Sequence, residues 1–441
     1  MNEEESRLPP LTGKPFAEYF ATYVAIANEE LSKANQAYWL QWLRQENENI
    51  NEALNWCLAN PENHELGMAL GATIWRYWSR QIYVGSQGEA NLAALIAVLT
   101  SLLTANDNRG QRGTWARGSV LLGLGTLSLR AGLNKAHDYY TQSFEVAKQI
   151  NDEQLQAEAL LGLGHLALNQ SSLDVSLSRF EQSLTIFERI GDQQGRCRAF
   201  KGIGTIKHRQ LKNEEAKLNI DKSLKIAQQL GDDKVAADCF NEIGIIAYNQ
   251  KNYFLSNKHF DDSVSILRKL GDKVGEAQVW NNISALDFEA ELWEDGLVHA
   301  LDAAAIYNEI SDPKNEAYAL INAAAHRIRM GNLAASCQDL KRSLHLIKTL
   351  GEVDRYGTLF AIEEFGRLSF WQGHYEQAVQ LYGVGAHLRQ SLGMEAEKKG
   401  SHDFEKTEAC LKLGEEKFYQ VWEMGKAIPL ASVIDFTLST C

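Results

Sequence analysis

The chain has 441 residues, which is too long for one ordinary globular core and suits several domains or one extended array. Its 44 Lys and Arg against 57 Asp and Glu give a formal net charge of -13, which disfavours non-specific attraction to nucleic acid or to an anionic membrane. Only 6 residues are proline, the residue that interrupts helices, so the composition favours a mostly helical chain.

The chain begins with a tail and an irregular helical region. Residues 1–15 are acidic and contain no apolar signal-peptide core, so we expect a flexible tail. Residues 16–110 are expected to be helical with atypical repeats, and the aromatic stretch 75–78 has the spacing of a helix core. Residues 92–103 supply only about half of the ~20 apolar residues of a spanning helix. We therefore expect no membrane segment and a cytoplasmic location.

Residues 111–394 carry a repeat of 40 residues. A tripeptide of an apolar residue, a small residue and an acid recurs at that interval: Ile150-Asn151-Asp152, Ile190-Gly191-Asp192, Leu230-Gly231-Asp232, Leu270-Gly271-Asp272, Ile310-Ser311-Asp312 and Leu350-Gly351-Glu352. Within a unit, apolar residues three and four apart predict two antiparallel helices, such as 157–169 and 173–190. The glycine can adopt the left-handed backbone conformation that ends one helix, and the acid can cap the amino terminus of the next helix.

Small and large residues recur within the repeat in a way that predicts close packing of its two helices. The first helix has a small residue at one position: Gly164, Gly204, Gly244, Ser284 and Ala324. We expect Phe180 and Phe260 of the second helix to fill the space beside it. Ser183, Ser223 and Ser263 repeat in a packing position rather than as nucleophiles. Each hairpin buries its apolar face only by stacking on its neighbours.

These positions resemble the tetratricopeptide repeat, with an apolar-glycine pair such as Leu163-Gly164, a small residue twelve positions later (Ser176) and a large one at Phe180. The unit is longer than the common 34-residue version, and Leu-Gly-Asp replaces the closing proline. The resemblance implies an all-α fold, a right-handed superhelical solenoid of helical hairpins. Residues 395–441 would then form a helical cap.

The flanks resemble a narrower group. Residues 16–60 and the sequence VWEMGKAIPLASVIDFTL near the end are similar to parts of the tetratricopeptide sensor arms of bacterial signal-transduction (STAND-type) ATPases. No G-x-x-x-x-G-K-[ST] phosphate loop occurs, so the ATPase half of such a protein is absent from this sequence. The resemblance implies a nucleotide-binding module in cis or in trans as a partner.

The sequence contains no pattern that indicates catalysis or a cofactor. The six cysteines are scattered without a C-x-x-C pair, no H-E-x-x-H occurs among the 11 histidines, and no G-x-S-x-G nucleophile elbow is present. The Gly-rich strings LGLG and KGIG lie within helical patterns and lack the lysine of a phosphate loop. We predict a protein that is not an enzyme and binds no metal or cofactor.

In tetratricopeptide arrays the first helices line the concave face, and here they carry polar residues at matching positions. Asparagine both donates and accepts hydrogen bonds and can bracket the backbone of an extended peptide. The predicted ligand-binding residues are Asn241, Asn281, Asn282, Asn322, Lys201, Arg198, His165, Tyr248 and Phe288. The alternative for each is a solvated helix face without a dedicated ligand.

The sequence therefore predicts a protein or peptide ligand on the concave face and no direct binding of nucleic acid or membrane. Occupancy of that face would shift the array and release an ATPase carried elsewhere. One alternative is a constitutive scaffold that holds two proteins together without switching. The other is an enzyme, for which a buried His/Asp or His/Glu pair with strongly shifted pKa values would be the sign.

Overall fold

The computed structural model describes residues 12–31, 35–81, 86–105, 112–130, 134–170, 172–350, 354–392 and 403–440. Within these ranges the regular structure is helical and no strand is present. The chain divides into two compact units, residues 1–272 and residues 273–441. The prediction of an all-α solenoid of hairpins is confirmed.

The first unit contains five helices and then four hairpins. The helices are α1 (Lys14–Glu30), α2 (Gln36–Gln45), α3 (Asn47–Ala59), α4 (His64–Gln81) and α5 (Ser86–Ala105). The hairpins are α6 (Arg112–Arg130) with α7 (Ala136–Gln149), α8 (Glu153–Asn169) with α9 (Leu173–Ile190), α10 (Gln193–Arg209) with α11 (Asn213–Leu230), and α12 (Asp233–Asn249) with α13 (Tyr253–Leu270). Trp75, Tyr77 and Trp78 are buried, as their spacing predicts.

The second unit contains three hairpins and a helical end. The hairpins are α14 (Lys273–Glu289) with α15 (Trp293–Glu309), α16 (Pro313–Arg329) with α17 (Leu333–Thr349), and α18 (Arg355–Trp371) with α19 (Tyr375–Ser391). The end comprises α20 (Asp403–Leu413), α21 (Glu415–Lys426) and α22 (Val433–Thr440). None of the described helices is both long and apolar enough to span a bilayer.

The repeated tripeptide ends one helix and starts the next. Gly191 has a φ of +75°, the left-handed conformation that closes a helix, and Asn151 adopts a φ of +54° at the same repeat position. The Asp152 carboxylate then accepts a hydrogen bond from the Leu155 backbone N–H at 2.8 Å. Asp192 departs from this pattern, since its carboxylate instead accepts a hydrogen bond from a glutamine of the preceding repeat. The predicted cap is therefore confirmed at some repeats and wrong at Asp192.

Large side chains of the second helices fill the space beside the small residues of the first helices. A Cβ atom added at Gly244 would lie 2.6 Å from the Phe260 ring, and one at Gly204 would lie 2.5 Å from Ile220. Real Cβ contacts are not this short, so only glycine fits while the large partner is present. This close approach compensates for the roughly 1 kcal/mol of helix propensity that glycine loses to alanine.

The repeated serines bond the second helices to the first helices of their own hairpins. The Ser183 hydroxyl donates to the Ala157 carbonyl at 2.8 Å, and Ser263 donates to the Ala237 carbonyl at 2.8 Å. Both serines are fully buried. They therefore satisfy helix carbonyls in the core, which agrees with the predicted packing role.

Candidate functional site

The first helices of neighbouring hairpins contact each other within each unit. In the first unit α6 contacts α8, α8 contacts α10, and α10 contacts α12; in the second, α14 contacts α16 and α16 contacts α18. Helices that touch from one hairpin to the next form a continuous surface in a repeat array. We call this surface the first-helix wall of each unit.

An ion-paired network around Glu158 lies on the wall of the first unit. Both terminal nitrogens of Arg198 donate to the Glu158 carboxylate, with Nη1 2.8 Å from Oε2. Arg76 of α4 adds a second guanidinium, whose Nη2 lies 3.9 Å from Oε1. Glu158 is buried, whereas the Arg198 side chain is 27% exposed. The buried acid thus fixes the orientation of a cation that solvent and a ligand can reach.

A second network on this wall joins α10 and α12. Lys201 Nζ lies 2.6 Å from Asp238 Oδ2, and Lys234 Nζ lies 3.1 Å from Asp238 Oδ1. Lys234 also reaches Asp272, at 2.6 Å from Oδ2. The side chains of Lys201, Lys234 and Asp238 are all partly exposed. Acid and base therefore alternate along the wall at positions that a bound molecule can contact.

The ion pairs keep these groups charged despite burial. Burial by itself would raise the pKa of Glu158, but Arg198 and Arg76 hold that pKa below its ordinary value. Burial opposes the charge of Asp238 in the same way, and Lys201 and Lys234 outweigh it and hold the pKa well below the usual range. Glu242 differs, because burial raises its pKa and Lys201 offsets this only in part.

Two of the predicted asparagines pair with each other on the wall of the second unit. The Asn322 side chain of α16 donates from Nδ2 to Asn281 Oδ1 of α14 at 2.9 Å. Asn282 lies beside this pair and is half-buried. A side-chain amide has two donor hydrogens and an acceptor oxygen, so this one bond does not exhaust either amide. The pair can also bond to a peptide backbone.

Phe288 lies against two arginines in the second unit. The Cζ atoms of Arg329 and Arg367 each lie 5.7 Å from the centre of its ring. Arg367 is buried and donates from Nη1 to both carboxylate oxygens of Glu364, at 2.8 and 2.9 Å. Its Nε lies 3.6 Å from Glu405 Oε1, and Arg329 Nη2 lies 3.9 Å from the same oxygen. Phe288 thus belongs to a charged cluster rather than to an apolar core.

The remaining predicted residues pack within their own hairpins. His165 lies edge-on to Phe180, with ring centres 4.9 Å apart, and the Tyr248 ring lies 6.1 Å from that of Tyr253. Asn241 is 8% exposed, so little of its amide reaches the surface. A ligand role for these three residues stays a prediction, and Asn241 has less accessible surface to support it than Lys201 and Arg198 have.

Sequence reasoning missed the acids that hold the cations in place. Glu158, Arg198 and Asp238 occupy one repeat position, six residues before the small residue of the first helix. Their charges alternate in sign at steps of forty residues. That alternation is the signal that would have identified the network, because neighbouring first helices bring equivalent positions together.

The second unit contains a buried histidine–serine contact and a partly buried histidine–aspartate contact. His326 Nε2 lies 3.0 Å from Ser284 Oγ, and both residues are at most 1% exposed. His299 Nδ1 lies 2.6 Å from Asp287 Oδ2 and joins the two helices of one hairpin. A nucleophile must reach its substrate, so the buried Ser284 is not suited to attack. Among the described residues, no three His, Cys, Asp or Glu side chains are grouped as metal ligands.

Comparison with solved structures identifies the fold. A Rap protein complexed with competence and sporulation factor matches with a TM-score of 0.57 and 15% identity, over 86% of this chain and 99% of that one. A signal-transduction ATPase (STAND protein) with a tetratricopeptide repeat sensor, from Pyrococcus horikoshii, matches with a TM-score of 0.51 and 14% identity, over 86% of this chain and 55% of that one. The fold is a tetratricopeptide-like repeat.

A third tetratricopeptide-like match is the apo form of the quorum sensor NprR from B. thuringiensis. Its TM-score is 0.51 at 10% identity, over 79% of this chain and 94% of that one. No protein-family model matches the chain, and no curated protein matches its sequence. At these identities the similarity establishes the fold alone.

Proposed function

We propose that this tetratricopeptide-like chain is a non-catalytic peptide- or protein-binding domain that acts as a ligand-sensing arm in bacterial signalling. The observation that carries the proposal is the first-helix wall, where partly exposed cations and amides are held in fixed positions. In the first unit Arg198 and Lys201 are fixed by Glu158 and Asp238. A wall whose only role was packing would bury apolar side chains instead.

Fixed polar groups are suited to binding an extended peptide. The peptide offers backbone donors and acceptors at regular spacing. The wall of the first unit offers cations from Arg198 and Lys201, and the wall of the second unit separately offers amides from Asn281 and Asn322. Because the ion pairs and the amide pair already order these side chains, binding loses less side-chain entropy. Charged hydrogen bonds contribute about 1.5–3 kcal/mol each, so they add to the affinity that the ordered side chains favour.

The comparisons support this proposal. The Rap protein was solved with competence and sporulation factor, NprR is named a quorum sensor, and the STAND protein carries a tetratricopeptide repeat sensor. By analogy we propose a cytoplasmic signalling role and a nucleotide-binding module as partner, in cis or in trans. A constitutive scaffold is the competing interpretation of the same wall.

Affinity measurements on wall variants test the proposal. Dodecapeptides selected from a random phage-displayed library on the full chain would be synthesised with a fluorophore and titrated by fluorescence anisotropy. Lys201→Ala and Asn281→Ala should weaken binding about tenfold where the peptide contacts the altered unit, since tenfold is 1.4 kcal/mol. The matched controls Lys225→Ala and Asn219→Ala change an exposed and a partly exposed residue of the second helix α11.

The controls should bind as the unmodified chain does, and thermal melting should show that every variant is folded. Equal weakening by Lys225→Ala, or unchanged affinity in both wall variants, would refute binding at the wall. Hydrogen exchange with and without the peptide then distinguishes sensor from scaffold. A sensor predicts protection changes in hairpins that the peptide does not contact, whereas a scaffold predicts none there.

A further inference from the structure

An aromatic box lies at the turn between α18 and α19 and is closed on one side by α20. It borders an open cavity of about 380 Å³. Its aromatic members are Phe370, Trp371, Tyr375 and Phe404, and its charged members are Glu408 and Lys412. All six belong to the second unit, and none is among the residues proposed to bind a ligand on the wall.

Three of the aromatic rings pack against the fourth, Phe370, which is 9% exposed. The ring centres of Trp371, Tyr375 and Phe404 lie 5.7, 5.5 and 6.3 Å from its centre, with interplanar angles of 89°, 64° and 75°. Rings that are tilted steeply against a shared neighbour and line the same cavity can turn π-faces to that cavity. Such faces carry the negative end of the ring quadrupole and attract cations.

Packing does not account for the aromatic character of this turn. Trp371 is the last residue of α18, and the last residues of five preceding first helices are all polar: Asn169, Arg209, Asn249, Glu289 and Arg329. The hairpin therefore forms without a tryptophan at this position. Trp371 is 45% exposed and Phe404 is 59% exposed, so neither ring is retained for burial. Clustered exposed aromatic rings beside a cavity are characteristic of binding sites.

The helix that closes the box is anchored. Glu405, next to Phe404 on α20, is 1% exposed, and Oε1 of its carboxylate faces Arg367 and Arg329 at 3.6 and 3.9 Å. This buried contact fixes the rotation of α20 about its axis. Counted from Phe404, Glu408 and Lys412 follow at intervals of four residues, about one helical turn, so all three lie on the side of α20 that faces the cavity. Glu405 points into the protein instead.

We propose that the aromatic box binds the cationic side chain of a lysine or arginine in a protein or peptide partner. The aromatic faces surround the alkyl stem and the charged head, and the Glu408 carboxylate adds an opposite charge. Lys412, one turn farther along α20 and exposed, repels the same cation. The two residues therefore have opposite effects on the affinity, whereas an uncharged apolar ligand would respond to neither.

The test uses blocked tripeptides, acetyl-Gly-X-Gly-amide, in which X is lysine, arginine or the neutral isostere norleucine. The full chain is labelled with 5-fluorotryptophan, and fluorine NMR follows the Trp371 signal during titration. Trp371→Asn assigns that signal, because it is the one that disappears from the spectrum of the variant. This substitution introduces the residue that α8 and α12 carry at the same position, so the hairpin should remain folded.

The lysine and arginine peptides should bind at least about fivefold more tightly than the norleucine peptide. Glu408→Gln should weaken the lysine peptide and Lys412→Gln should strengthen it, each by about threefold or more. Glu416→Gln, an exposed residue of α21, makes the same charge change as Glu408→Gln and should have no effect. Equal affinity for norleucine would show an apolar pocket and overturn the proposal. An unmoved Trp371 signal with all three peptides would overturn it as well.

Discussion

Replacing Gly244 by alanine, alone and together with Phe260→Leu, tests how the hairpins hold together. The added methyl group would lie 2.6 Å from the Phe260 ring, which is itself 1% exposed and has no room to move outward. Overpacking of this kind costs about 1–3 kcal/mol, and the severity of the overlap favours the upper end. Alanine regains roughly 1 kcal/mol of helix propensity. The expected net loss is about 2 kcal/mol.

The double variant Gly244→Ala/Phe260→Leu provides an internal control. It recreates the combination that Ala324 and Leu340 form at the same positions of another hairpin, where both residues are fully buried. Phe260→Leu alone leaves a gap and should destabilise, whereas in the double variant the methyl group occupies part of that gap. The two changes should therefore be coupled by about 1 kcal/mol or more, with the double variant more stable than the sum predicts.

Urea unfolding followed by far-UV circular dichroism measures all four proteins of this cycle. The denaturant slopes must agree among the proteins for the free energies of unfolding to be compared. Strictly additive losses, or a stabilising Gly244→Ala, would refute the interpretation that the glycine is kept for the approach of the large residue.

Two further predictions concern buried charge and pH. Glu158→Gln removes the acid between Arg198 and Arg76 and should lower the free energy of unfolding by roughly 3 kcal/mol in urea titrations, because it leaves a partly buried guanidinium without its counter-charge. The exposed ion pair of Arg189 with Glu153 is the control, and Arg189→Gln should lower the free energy of unfolding by less than about 1 kcal/mol. Similar losses of stability at both sites would contradict the predicted role of Glu158. Burial lowers the pKa of His326, so the unfolded state takes up protons first. The stabilising contribution of the neutral histidine is complete above the ordinary pKa of about 6.5 and is lost as the pH falls. Between pH 7.5 and 5, the melting temperature should therefore fall less in His326→Gln than in the unmodified chain. An equal fall of the melting temperature with pH in both proteins would show that this histidine does not contribute.

The repeat made the hairpins predictable. The forty-residue interval of the tripeptide and the spacing of apolar residues locate the helix pairs, and α9 begins and ends at the predicted residues 173 and 190. The pairing of Gly164 with Phe180 also follows from the sequence, because a small and a large residue at fixed repeat positions must be neighbours in every hairpin. Contacts that recur in each unit produce a periodic pattern in the sequence.

Contacts that occur only once in the structure produce no periodic pattern in the sequence. Gln36 of α2 contacts Asp232, 196 positions away, and Glu405 of α20 contacts Arg367 from outside the repeat. Neither contact follows from a period. The sequence analysis aligns polar residues at matching repeat positions but does not consider the sign of their charges. It therefore omits Glu158 and Asp238, the acids on neighbouring helices that orient Arg198 and Lys201.

Photo-crosslinking tests the central claim most directly, namely that the first helices carry the ligand. A selected peptide with a benzophenone side chain would be irradiated with the full chain, and the modified residues identified by mass spectrometry. We expect crosslinks on first helices such as α10, α12 and α14, near Lys201, Asn241 or Asn281. Crosslinks confined to second helices such as α11 and α13 would contradict it.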